Sequence, residues 1–174
     1  MSRRRSLIIG VAVTTAAVIF ATISAPEVET PTATQGNCAY QWAYQDAVEL
    51  TQFIDEAAKA LKQEASARAQ YYGEDCIYAD GTSTFSAMET DFYIRLPVED
   101  LTKEEEFGDF VAQVMEIVTQ IPREELSGNY GFVEFWFEKS TTEHITFRVP
   151  IQQYIDEAQG KSGVELFQLF YPQP

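Results

Sequence analysis

The chain has 174 residues and a formal charge of −15, from 12 Lys and Arg against 27 Asp and Glu. An acid excess of this size repels phosphate backbones and anionic head groups, which excludes nucleic acid as a partner and confines membrane contact to any apolar segment the chain itself supplies. One histidine and two cysteines fall short of a zinc set, so neither a metal nor a cofactor is expected.

Such an apolar segment stands at the N-terminus. Arg3, Arg4 and Arg5 precede an uncharged run from Leu7 to Ala25, the cationic and apolar regions of an export signal. As a helix rising 1.5 Å per residue, the run would reach roughly 28 Å, close to the ~30 Å hydrocarbon layer of a bilayer. Residues 1–25 are therefore read as a signal peptide or an N-terminal membrane anchor. Thr22 and Ser24 offer the small residues that a peptidase requires, while Pro26 is an awkward first residue, and cleavage and retention both stay open. Either way the arginines stay inside and the rest is translocated. The folded part is thus expected outside the cytoplasm, secreted or anchored at the outer face of the cell membrane. Without residues 1–25 the chain loses three arginines and no acid, leaving nine cations against twenty-seven acids, a charge of −18.

Residues 26–37 mix Pro, Thr, Glu, Ala, Gln and Gly without an apolar period and read as a flexible linker. Residues 38–174 have the length of one domain. At its start Cys38, Tyr40, Trp42 and Tyr44 alternate with smaller or polar residues, the period of a strand. Asp46 and Glu49 form a capping-box pair, and Leu50, Ile54, Ala57, Ala58, Leu61 and Ala65 follow at helical spacing, predicting a helix that runs to Tyr72 and Gly73. Cys76 to Tyr78 reads as a short strand, Asp80-Gly81 as a tight turn, and Thr82 to Leu96 as a longer strand ended by Pro97. A second box, Thr102 with Glu105, opens a helix bearing Phe107, Phe110, Val111, Val114, Val118 and Ile121 on one stripe, which Pro122 stops. Phe132–Glu138 and His144–Val149 form a hairpin. Pro150 opens a short helix capped by Gly160, and a third box, Ser162 with Glu165, opens a last one.

The fold class is therefore α+β: a single domain with a largely antiparallel sheet, in the order β-α-β-β-α-β-β plus short C-terminal helices, and with its helices packed on one face. In that arrangement Phe92, Ile94, Val133, Phe135, Phe137, Ile145, Phe147 and Val149 point at the helices. Tyr93, Arg95, Phe132, Glu134, Trp136, His144, Thr146 and Arg148 point the other way. Tyr40, Trp42 and Tyr44 join this second face or the core, depending on register. Rings beside Arg and Glu suit a sugar, a peptide or a protein surface, which makes Tyr93, Arg95, Glu134, Trp136, His144 and Arg148 the candidate binding residues. The competing arrangement has the linker or Leu166 to Tyr171 folded back over that face.

Nucleophile elbows, phosphate loops, zincin helices, calcium loops and dinucleotide glycines are all missing from the sequence. His144 reads as an exposed strand residue. The expectation is a non-catalytic exported domain that binds an envelope protein, peptide or glycan and contacts the membrane only through its N-terminal segment. A carboxylate-dependent hydrolase is the catalytic alternative, built on pairs such as Glu89 with Asp91, Glu99 with Asp100 or Glu134 with Glu138. A homo-oligomeric envelope protein joined through Trp136 and Tyr93 is the structural one.

Two cysteines in a compartment where thiols oxidise predict a Cys38–Cys76 disulfide, and closing that loop stabilises a fold by about 4 kcal/mol on the chain-entropy model. Both sulfurs should resist alkylation in denaturant until a reductant is added; labelling without reductant would overturn the pairing.

Overall fold

The structure is a computed structural model that describes residues 37–172; the expected signal or anchor segment, the linker up to residue 36 and the last two residues lie outside the described residues. Five strands make one sheet in the order β1-β2-β3-β4-β5: β1 (Ala39–Asp46), β2 (Ser66–Ile77), β3 (Ser83–Pro97), β4 (Asn129–Glu138) and β5 (His144–Pro150). The helices are α1 (Val48–Leu61), α2 (Glu104–Thr119), α3 (Ile151–Gln153), which continues as a π turn over Tyr154–Ala158, and α4 (Gly163–Phe170). The chain is a single α+β domain, as its pattern implies. No helix among the described residues is long and apolar enough to cross a membrane.

The sheet is mixed. Three pairings are antiparallel, but β3 and β4 run parallel, because α2 lies between them and carries the chain back across the sheet so that β4 starts from the same end as β3. The apolar stripe of α2 makes this return favourable. Phe107, Phe110, Val111, Val114, Met115 and Val118 are all buried, and Phe107 stacks on Phe137 of β4 with ring centroids 4.2 Å apart. Each such side chain contributes roughly 1.5–3 kcal/mol by leaving water.

The first helix is shorter than its composition suggests. Residues Ser66 to Tyr72, expected at its C-terminal end, are the first half of β2, which pairs with β3 from Ser66↔Arg95 to Ile77↔Ser83. Ala, Arg and Gln favour helix, yet Ala67, Ala69 and Tyr71 also alternate with Arg68, Gln70 and Tyr72, and the cross-strand neighbours decide between the two. Cys76 and Ile77 complete this same strand, and the turn at Asp80-Gly81 forms, with Gly81 at φ 84°. Where β1 stops, α1 continues its hydrogen bonding: Thr51 Oγ1 accepts the Ala69 N–H at 2.9 Å, and Asp55 Oδ1 accepts that of Ala67 at 2.9 Å.

None of the three capping boxes forms. The residues preceding α1, α2 and α4 make no side-chain cap bond. Asp46 instead accepts a hydrogen bond from Gln70 at 3.0 Å, and Thr102 turns back on Asp100. Glu105 and Asp109 of α2 accept the N–H groups of Val164 (3.3 Å) and Gly163 (2.9 Å), so the orphan donors of α4 are satisfied by its neighbour rather than by Ser162.

The Cys38–Cys76 disulfide is present, with its Cα atoms 5.3 Å apart across the start of β1 and the far end of β2. It points to a location outside the cytoplasm.

The contact of α4 with α2 has no spare room: a Cβ on Gly108 would lie 1.8 Å from the Gly163 carbonyl oxygen. Gly108→Ala should therefore cost about 1–3 kcal/mol in urea unfolding; a variant as stable as its parent would mean that the two helices pack differently.

Candidate functional site

The alternation of β3, β4 and β5 sorts side chains cleanly. Phe92, Ile94, Val133, Phe135, Phe137, Phe147 and Val149 are buried beneath the helices, and Ile145 packs against them partly buried. The opposite face carries all six candidate binding residues. The ladders set them in rows across the sheet: Tyr93, Glu134 and Arg148 in one, Arg95 and Trp136 in the next, and His144 opposite Glu138 at the end. Leu166 to Tyr171 do not cover this face. Phe167 and Tyr171 pack on the helix side, 5.5 Å and 5.7 Å from the Phe147 ring.

Within these rows Tyr93, Phe132 and Trp136 each carry a guanidinium group over the ring. The Arg148 guanidinium lies 4.1 Å from the centre of Phe132, and its Nε donates to Glu134 Oε2 at 2.8 Å. Arg95 lies 4.9 Å over Trp136 and 3.5 Å from Glu138. Arg68 lies 4.4 Å over Tyr93. Phe132 meets Tyr93 edge to face at 5.8 Å, and His144 tilts against Trp136 at 5.1 Å. The Glu134 hydrogen bond holds the pKa of Arg148 above its usual value, and burial pushes the Tyr93 phenol up to about 12. Arg68, Tyr93, Arg95, Glu134 and Trp136 line a shallow groove of about 320 Å³.

The other half of the face is aromatic without cations. On β1, Tyr40 (71 % exposed), Trp42 (61 %) and Tyr44 (55 %) stand in a row. Tyr72 of β2 props them from beside, 5.6 Å from Trp42 and 5.0 Å from Tyr44. The register question left open by the sequence is thereby answered: these three rings join the outer face. Arg68 and Tyr72 are members of this face that the sequence reading missed, because it placed them on a helix. The period-two alternation from Ser66 to Tyr72 was the signal that could have found them.

One carboxylate on this face is shut off from water. The register between β3 and β4 shifts at Thr90/Phe92, leaving Gly131 and Phe132 opposite Asp91. Asp91 is fully buried there; its Oδ1 accepts the Phe132 N–H at 3.2 Å, and its Oδ2 has no partner. A Cβ at residue 131 would lie 2.0 Å from Oδ1, so only glycine admits the carboxylate. Burial pushes the Asp91 pKa from 3.8 to about 6, with the Glu89 and Glu134 charges adding to the rise and the Phe132 N–H and Arg148 opposing it. Among the described residues no group of three or more His, Cys, Asp or Glu is placed to hold a metal ion.

In comparisons with family models, curated proteins and solved structures, nothing matches this chain.

Since the folded state raises the pKa of Asp91, the folded chain keeps a proton that the unfolded chain releases above pH 3.8. Stability should therefore fall by about 2–3 kcal/mol as pH rises from about 4 to about 6.5 and level off above that. Asp55, Asp80 and Asp100, whose pKa values are lowered by hydrogen bonds, act only below that window. Asp91→Asn should flatten the decline between about pH 4 and 6.5 in urea unfolding; an unchanged slope would place its source elsewhere.

Proposed function

We propose that this chain is an exported domain, secreted or anchored through its N-terminal segment, that binds a partner of the cell envelope or extracellular space through the outer face of its sheet. The observation that carries the reading is a sheet face, rich in rings and guanidinium groups, that no helix among the described residues covers. The described helices all lie on the other side, and three large aromatic side chains of the outer face are more than half exposed. Monomeric proteins seldom leave such patches to water unless they are used. The disulfide and the charge-free run behind three arginines support the location.

The chemistry of the face favours recognition over catalysis. Over β3 to β5 two guanidinium groups are already matched, Arg148 to Glu134 and Arg95 to Glu138, and the one carboxylate with a strongly raised pKa is buried, with the Phe132 N–H on its Oδ1. Rings held flat by stacked guanidinium groups lose little freedom when a partner lands on them.

A photo-crosslinking side chain placed at Tyr93 or Trp136 should form adducts in the expressing cell, whereas the same group at Gln113, exposed on α2, should form few. Adducts from the α2 position alone, or from none of the three, would overturn the reading.

A further inference from the structure

The two halves of the outer face differ in one respect that identifies a ligand. On the β3 to β5 half, Tyr93, Phe132 and Trp136 each lie under an arginine of the same chain. On the β1 half, Tyr40, Trp42, Tyr44 and Tyr72 lie under none of the described residues' cations. The sequence explains the difference: no Lys or Arg occurs from residue 37 to 58 or from 69 to 94, while Asp46, Glu49, Glu74, Asp75, Asp80 and Glu89 all do. By strand alternation Asp46, Glu74 and Glu89 share the outer face with these rings, and ring faces near carboxylates attract cations.

The backbone narrows the form of the ligand. Among the described residues β1 ends the sheet and pairs only with β2. It is eight residues long, runs without a register shift, and contains neither Pro nor Lys. Those are the devices by which edge strands normally avoid pairing. Its free edge offers backbone donors and acceptors in the spacing of another strand. On such an added strand, side chains two residues apart point to one side and repeat every ~6.6–6.8 Å, the same interval that separates Tyr40, Trp42 and Tyr44.

We propose that β1 docks an extended cationic segment of a partner protein, which adds to the sheet as a sixth strand and sets alternate Lys or Arg side chains beside Tyr40, Trp42 and Tyr44. The proposal rests on the binding role given to the outer face and names its partner. A second copy of this chain fits less well, since it would bring the same acid-rich, cation-free strand and a net charge of −15 to its own like. A neutral glycan could stack on the rings but would leave the strand edge and the acids unused.

The test uses the full chain in detergent micelles, with binding read by isothermal titration calorimetry. The probe is a ten-residue peptide of alternating Arg and Thr. Heat should saturate with this peptide, and affinity should fall at least tenfold for the Tyr40→Ala/Tyr44→Ala variant and for a probe with every amide methylated. No saturable change, equal binding of the methylated probe, or equal binding of a Glu-Thr peptide would each overturn the proposal. So would self-association through β1, seen by sedimentation, that the peptide does not compete away. If the peptide fails while crosslinks at Tyr93 and Trp136 persist, only the identity of the partner falls; if the crosslinks fail too, the binding role falls with it.

Discussion

The arrangement rests on one requirement: the apolar stripe of α2 must leave water, and the sheet offers it the inward side of β3 and β4. Phe107 against Phe137 and Phe110 between Phe135 and Phe137 fix that contact. Once α2 lies there, β4 must run parallel to β3, and α4 finds its place against α2 at Gly108. The helices then share one side, and the other side of the sheet is left to the side chains that alternation turns outward. The exposed face follows from how the core closes.

What those outward side chains do differs along the sheet. Over β3, β4 and β5 they neutralise one another through ring, guanidinium and carboxylate contacts, so that this part stabilises itself without a covering layer. Individual surface ion pairs contribute little, but Glu134, Arg148, Phe132 and Tyr93 form a connected set in which each group restricts the next. Over β1 and the facing part of β2 no such matching occurs among the described residues. One face thus combines a self-satisfied region with an unsatisfied one, and the unsatisfied one lies at the open edge.

Much of this architecture was legible in the sequence, for identifiable reasons. Period two in Phe92 to Leu96 and Val133 to Phe137 set the inward and outward lists correctly, because strands with one buried face cannot slip by a residue without inverting it. The stripe of α2 was equally plain. Ser66 to Tyr72 was misread because Ala, Arg and Gln satisfy a helical period as well as a strand, and only the pairing with β3 separates them. The capping boxes failed for a related reason. A box is a local signal, and here Asp46, Thr102 and Glu105 found partners elsewhere. The burial of Asp91 could not be read locally at all, since it depends on the two-against-one register between β3 and β4 and on the missing side chain of Gly131.

The bond between Cys38 and Cys76 acts on the strand that most needs it. β1 buries little side-chain surface, so its ladder to β2 has scant apolar help, and a cross-link at its first turn prevents the end from peeling open. Reduced, the same strand would fray from the N-terminal side, and its rings would no longer stand in line. The order of this edge is in this sense conditional on oxidation: a chain whose thiols are still free carries the same three rings without the straight rail that aligns them.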